Sequence, residues 1–181
     1  MGAEANAAEQ TPVETTPENV EALLEAARYD DIDDVTNLAS AGISLDSKDS
    51  QGRTGTSSEV HSKTILCEEV LPNKSIGPQL QSTSLHMASA NGHLDIVDYL
   101  IRNGVDVNAS NVEKNTPLHW ACLNGHIEVV KNLILAGASV SVLNSHERTP
   151  MDEAVSRGKM DVIDAINTAV TQVELSSASV S

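Results

Sequence analysis

Slid along itself, the chain matches at a spacing of 33 residues, and a repeat of that length sets the architecture before any other signal does. Thr83, Thr116 and Thr149 are successive 33-residue steps, and so are Gly92, Gly125 and Gly158. His86 pairs with His119, His93 with His126 and Gly104 with Gly137 at the same offset. The fullest copy runs from Asn115-Thr116-Pro117-Leu118-His119-Trp120-Ala121-Cys122-Leu123-Asn124-Gly125-His126 into Ile127-Glu128-Val129-Val130-Lys131-Asn132-Leu133-Ile134-Leu135-Ala136-Gly137. Thr116 suits an N-cap and Pro117 the first helical position, where a missing N–H goes unnoticed, so a first helix is predicted there. Gly125 allows a tight turn. Ile127, Val130, Leu133 and Ile134 then recur at helical spacing, predicting a second helix that Gly137 closes as a left-handed cap. Two helices of about ten residues cannot bury their apolar faces alone, so neighbouring copies must stack. With aromatics at 2% and no Phe, the stack has to be packed by aliphatic side chains rather than by rings.

These residues resemble the ankyrin repeat, whose signature is a Thr-Pro-Leu-His start, an Ala pair, a Gly-His turn and a closing Gly before an Asp-Val-Asn-Ala stretch. Val105-Asp106-Val107-Asn108-Ala109 supplies the last element, and Leu85-His86-Met87-Ala88-Ser89-Ala90-Asn91-Gly92-His93 a second copy. Arg148-Thr149-Pro150-Met151-Asp152-Glu153-Ala154 has lost the His and reads as a C-terminal cap with a more polar outward face. Ala22 to Ile32 lacks the Thr-Pro start but keeps the Ala pair, with Val35, Leu38 and Gly42 in helix-turn-helix order, and reads as the N-terminal cap. The resemblance implies an all-α solenoid of about four helix-turn-helix repeats with short β-turn fingers. The repeat domain is expected over 18–169, with repeats at about 19–48, 49–110, 111–143 and 144–169. Disordered tails are expected over 1–17 and 170–181.

The second repeat is interrupted. Gly42 and Gly104 are 62 residues apart where one period would give 33, leaving 29 surplus. Asp49 to Thr54 reads as a finger ending in its own N-cap, yet Thr83-Ser84-Leu85-His86 offers a second start directly on the helix. Residues 55–83 are therefore expected to be an insertion, and because Thr54 would join cleanly to Ser84, one that alternative splicing could remove. Closing about 30 extra residues costs on the order of 3 kcal/mol, which leaves a fold of ordinary stability standing.

Charge and composition exclude several classes. The formal net charge is -15, which repels a phosphate backbone and argues against direct nucleic-acid binding. It favours a basic partner instead. Residues 1–34 hold ten acids against Arg28 alone, read either as a solubilising face or as a docking face for such a partner. The absence of a basic and apolar leader and of any long apolar run predicts neither secretion nor membrane spanning. Two cysteines, Cys67 and Cys122, fit a reducing compartment, the cytoplasm or nucleus. No metal is expected, since the spacing of His86, His93, His119 and His126 is that of the repeat, and His61 with Cys67 is a chance cluster. No Cys-x-x-Cys pair, His-Glu-x-x-His or Gly-rich phosphate loop occurs, so no cofactor, nucleotide or catalytic constellation is expected either.

What remains is recognition of another protein by a monomeric, non-catalytic stack. Carried over from ankyrin proteins, the binding positions fall on the fingers at Val112, Glu113, Asn115, His146 and Arg148. On the first helices they fall at Tyr29, Asn91, Leu123, Asn124 and Arg157. Trp120 stands where Leu is usual, open to two readings: packing between repeats, or a binding hot spot. The acidity, the layout and Trp120 in its context are similar to small ankyrin chaperones that escort a basic small-subunit ribosomal protein. A regulatory adaptor in signalling is the other expectation.

Overall fold

The structure, a computed structural model, describes residues 16–48 and 82–178. The finger expected at 49–54, most of the 55–83 insertion with His61 and Cys67, and the tail to residue 15 lie outside the described residues. Eight helices follow in chain order: α1 (Pro17–Arg28), α2 (Ile32–Ser40), α3 (Ser84–Asn91), α4 (Leu94–Arg102), α5 (Pro117–Asn124), α6 (Ile127–Leu135), α7 (Pro150–Ser156) and α8 (Met160–Ala178). They pair as four hairpins. The inner helices α1, α3, α5 and α7 stack in order, and the outer helices back them, with α6 and α8 packed extensively against each other. Among the described residues there is no strand.

The predicted starts are where the helices begin. Thr83, Thr116 and Thr149 are the N-caps of α3, α5 and α7, and Pro117 and Pro150 open their first turns. The inner helices meet through one column of small side chains, Ala26, Ala88, Ala121 and Ala154, all buried. A methyl at each position lets helix axes approach closely, and Leu23, Leu85 and Leu118 beside them are sealed from solvent. Burying a Leu this completely is worth roughly 1.5–3 kcal/mol. Each outer helix adds its own apolar stripe, Ile96, Val97 and Leu100 on α4 and Val129, Val130, Leu133 and Ile134 on α6.

Two sets of histidines fasten one repeat to the next. His86 Nε2 faces the Asn115 carbonyl at 3.0 Å, and His119 Nε2 faces that of Arg148 at 3.1 Å. A carbonyl only accepts, so Nε2 carries the proton and Nδ1 takes the N–H of the capping Thr, at 3.3 Å from Thr83 and 3.1 Å from Thr116. His93 and His126 reach backward, to the Arg28 and Ala90 carbonyls at 2.8 and 3.0 Å, giving partners to inner-helix C-terminal groups. In the fourth repeat Asp152 keeps the local half of the device, accepting from the Thr149 N–H at 2.9 Å, and drops the bridge onward.

Three expectations are corrected. Pro17 begins α1 and Thr16 caps it, accepting from the Asn19 N–H at 3.3 Å, so the N-terminal tail does not extend to 17. The tail expected from 170 is helical to Ala178. Val170 occupies the register of Gly42, Gly104 and Gly137, and without a left-handed residue to turn the chain the helix continues. The outward face of the last repeat is also less polar than expected. Val155, whose counterparts Ser89 and Cys122 are buried by a following repeat, is 56% exposed, and Met160 is 64% exposed.

The interruption leaves the stack intact, since α1 packs on α3 as α3 packs on α5. The Asp46 carboxylate accepts from the Asp106 N–H at 3.0 Å, as the Asn108 side-chain oxygen accepts from the Ser139 N–H at 2.8 Å one repeat later. Joining Thr54 directly to Ser84 shortens the connection between repeats 1 and 2 to the length used between repeats 2 and 3. Because the penalty grows only with the logarithm of connection length, the shortened chain is expected to gain about 1 kcal/mol relative to the full one. Urea denaturation of both chains measures it, and a shortened chain with a lower midpoint would show that the extra segment contributes contacts.

Candidate functional site

The fingers are built by two asparagines one period apart. Asn111 accepts, through its side-chain oxygen, from the N–H groups of Glu113 and Asn115 at 3.0 and 2.9 Å. Asn144 does the same for His146 and Arg148 at 2.9 and 3.1 Å. Each finger closes with a backbone pair, Asn111 N–H to Asn115 O and Asn144 N–H to Arg148 O, both 3.0 Å. Lys114 and Glu147 sit at the tips with φ of 58° each, and the Ser145 N–H donates to Glu113 O at 2.8 Å, linking finger to finger. Such side-chain-to-backbone bonds hold a turn rigid without a sheet.

Between the second finger and the inner helices α5 and α7 lies an open groove of about 880 Å³. Seven of the predicted binding residues line it: Glu113, Asn115, Trp120, Leu123, His146, Arg148 and Arg157. The other four stand elsewhere. Val112 points outward from the first finger, 46% exposed, and Tyr29 stands 72% exposed at the end of α1. Asn91 donates to the Met87 carbonyl at 2.9 Å, and Asn124 to the Ala90 carbonyl at 2.7 Å, so both amides are engaged with backbone. Sequence reasoning missed Asn144 and Glu153, which also line the groove; the Asn111 and Asn144 column at the repeat spacing was the signal that could have found them.

The groove is organised by buried Glu153. One of its oxygens accepts from Asn144 Nδ2 at 2.9 Å and the other faces Arg148 Nη1 at 3.6 Å. Asn144 Nδ2 also donates to Asn115 Oδ1 at 2.9 Å, and Asn115 Nδ2 donates to Glu113 Oε2 at 3.1 Å. Both carboxylates are thus turned toward donors of the protein itself. Trp120 is half-buried and lines the groove.

Burial shifts two titratable groups near the groove. Burial holds the His119 imidazole below its ordinary range, outweighing the hydrogen bond to Arg148, so it stays neutral at physiological pH. Burial pushes the Cys122 thiol up to about 12, which keeps it protonated and unreactive. Among the described residues no three His, Cys, Asp or Glu side chains come together as metal ligands, and no helix is long and apolar enough to cross a membrane.

A family model described as ankyrin repeats (3 copies) matches residues 59–144 and 85–170, together more than half of the chain. No curated protein matches it.

Proposed function

The chain belongs to the ankyrin-repeat family, and from that premise we propose that it holds a partner protein in the groove between α5, α7 and the second finger, with Trp120 as the anchor. Ankyrin repeats generally mediate protein–protein interaction and are typically non-catalytic. The observation that carries the choice of groove is the placement of Trp120, a large apolar ring half open to a cleft walled by a rigid finger. A rigid aromatic in a concave site makes contact area at small entropic cost and is the commonest kind of hot spot. The protein acts as a monomer in the cytoplasm or nucleus, as an adaptor that positions its partner.

Trp120→Leu tests this reading, because Leu retains apolar bulk against the neighbouring repeat while removing the ring from the groove. Affinity for a partner captured by the full chain is expected to fall about tenfold or more, with stability changed by less than about 1.5 kcal/mol. Titration calorimetry and urea denaturation give the two numbers. Unchanged affinity would move the binding surface away from Trp120.

A second reading, escort of a basic ribosomal protein, is favoured by the acidic first repeat. Glu18, Glu21 and Glu25 on α1 and Asp33 and Asp34 on α2 are all exposed. A client held there would be released by salt, and neutralising Asp33 and Asp34 to Asn would weaken it while Trp120→Leu would not.

A further inference from the structure

The hydrogen-bonding capacity that the groove leaves unused is donor capacity. Glu113 and Glu153 are committed to Asn115, Asn144 and Arg148. Arg157, which lines the groove, is exposed and has no ion pair among the described residues. The Arg148 side chain is 51% exposed, faces Glu153 at 3.6 Å and also lies within the field of Asp152. Trp120, which lines the groove, has its buried Nε1 without an acceptor among the described residues, and so has Asn111 Nδ2 in the first finger, outside the groove. Asn111, which is 5% exposed, lies one period before Asn144, and Trp120 one period before Glu153. At the register where the fourth repeat places the Glu153 carboxylate that Asn144 Nδ2 meets, the third repeat has Trp120, whose indole nitrogen only donates. The fourth repeat supplies its own carboxylate, and the third has the donors without one.

We propose that the occupant of this groove is an acidic, extended segment of the partner protein, whose Asp or Glu side chains take Arg157 and Arg148 while an adjacent apolar side chain packs on Trp120. This rests on the protein-binding reading above and specifies its chemistry. It runs opposite to the net charge of the chain, because the excess of acid is concentrated in the N-terminal region and on outer helices, whereas the groove sets two arginines around a ring. Arg-to-carboxylate pairs are the strong, directional ones, and a half-used guanidinium fork has a second edge to offer.

The only tryptophan of the chain is Trp120, so its fluorescence reports from inside the groove. The full chain is titrated with three blocked hexapeptides that share a central Leu-Leu pair and carry flanking Glu, Gln or Lys. The acidic peptide is expected to shift Trp120 emission and to bind about tenfold tighter than the neutral one at roughly 50 mM salt, losing that advantage at roughly 500 mM. Arg157→Glu is expected to abolish the preference. Lys131→Glu, the same charge change on the outer helix α6, is expected to keep it. Equal or tighter binding of the neutral or basic peptide, with the emission shift retained, would overturn the acidic occupant and leave the protein-binding reading standing. Acidic preference that survives Arg157→Glu, or no shift with any peptide, would overturn the proposal; partner affinity of Trp120→Leu then decides the broader reading separately.

Discussion

Gly92→Ala is expected to lower stability by about 3 kcal/mol, and Gly137→Ala by only about 1 kcal/mol. Both glycines adopt left-handed backbone, with φ of +81° and +95°. The shared penalty for placing a side chain on such backbone accounts for the smaller figure. The difference lies in what an added Cβ meets. At Gly137 nothing lies within 4 Å, but at Gly92 the Cβ would come within 2.5 Å of His126 Nδ1. That ring cannot step aside freely, because its Nε2 is bonded to the Ala90 carbonyl at 3.0 Å. Gly92→Ala therefore either strains the turn or breaks a bond that fastens the second repeat to the third. Gly125 is an instructive intermediate, since a Cβ there meets only the side-chain end of Lys159 at 3.2 Å, a group that can swing away. Urea denaturation of the variants ranks them; equal losses at Gly92 and Gly137 would mean that the His126 ring relocates without penalty.

Acid should unfold the protein through His86 before its carboxylates titrate. Burial lowers the His86 imidazole from 6.5 to about 4, despite the stabilising hydrogen bond to Asn115. The folded state thus binds a proton less readily than the unfolded one. Between pH 6.5 and about 4 the unfolded chain carries the extra proton, so stability falls as pH falls through that window. The loss from this one residue is about 2 kcal/mol by pH 5 and about 3 kcal/mol by pH 4. His119 is shifted the same way by burial and adds to it. The exposed Asp152, held below its ordinary range by its hydrogen bonds to Thr149, contributes only at lower pH. His86→Gln isolates the effect, because it keeps a polar side chain and cannot charge. It should be less stable than the parent at pH 7 and lose less on acidification. Midpoints that fall in parallel for both proteins would show that His86 protonates without penalty in the fold.

Much of this was readable in advance. The N-cap Thr, the first-turn Pro and the turn Gly act within four residues of themselves, so their spacing alone marked α3, α5 and α7 and the turns that follow. The length of α8 was less apparent, although its cause, Val170 in place of a glycine, sits in the same repeat columns. Of the binding positions expected from the repeat, seven share one groove. Asn144 and Glu153 were missed because each looks like an ordinary polar residue until the partner across the repeat boundary is known.

That division has a physical cause. Helix starts, turns and the order of the stack follow from bonds between near neighbours and from a strict period, and the sequence by itself determined them. Whether a given donor or acceptor is satisfied depends on a residue about one repeat away, as His86 depends on Asn115 and His119 on Arg148. Identical register can end differently. Asn144 finds the Glu153 carboxylate, while Asn111 Nδ2, at the same register one repeat earlier, has no acceptor among the described residues. Only the tertiary structure decided which polar groups the fold consumes and which it leaves for a partner, because that balance is struck between repeats and not within one.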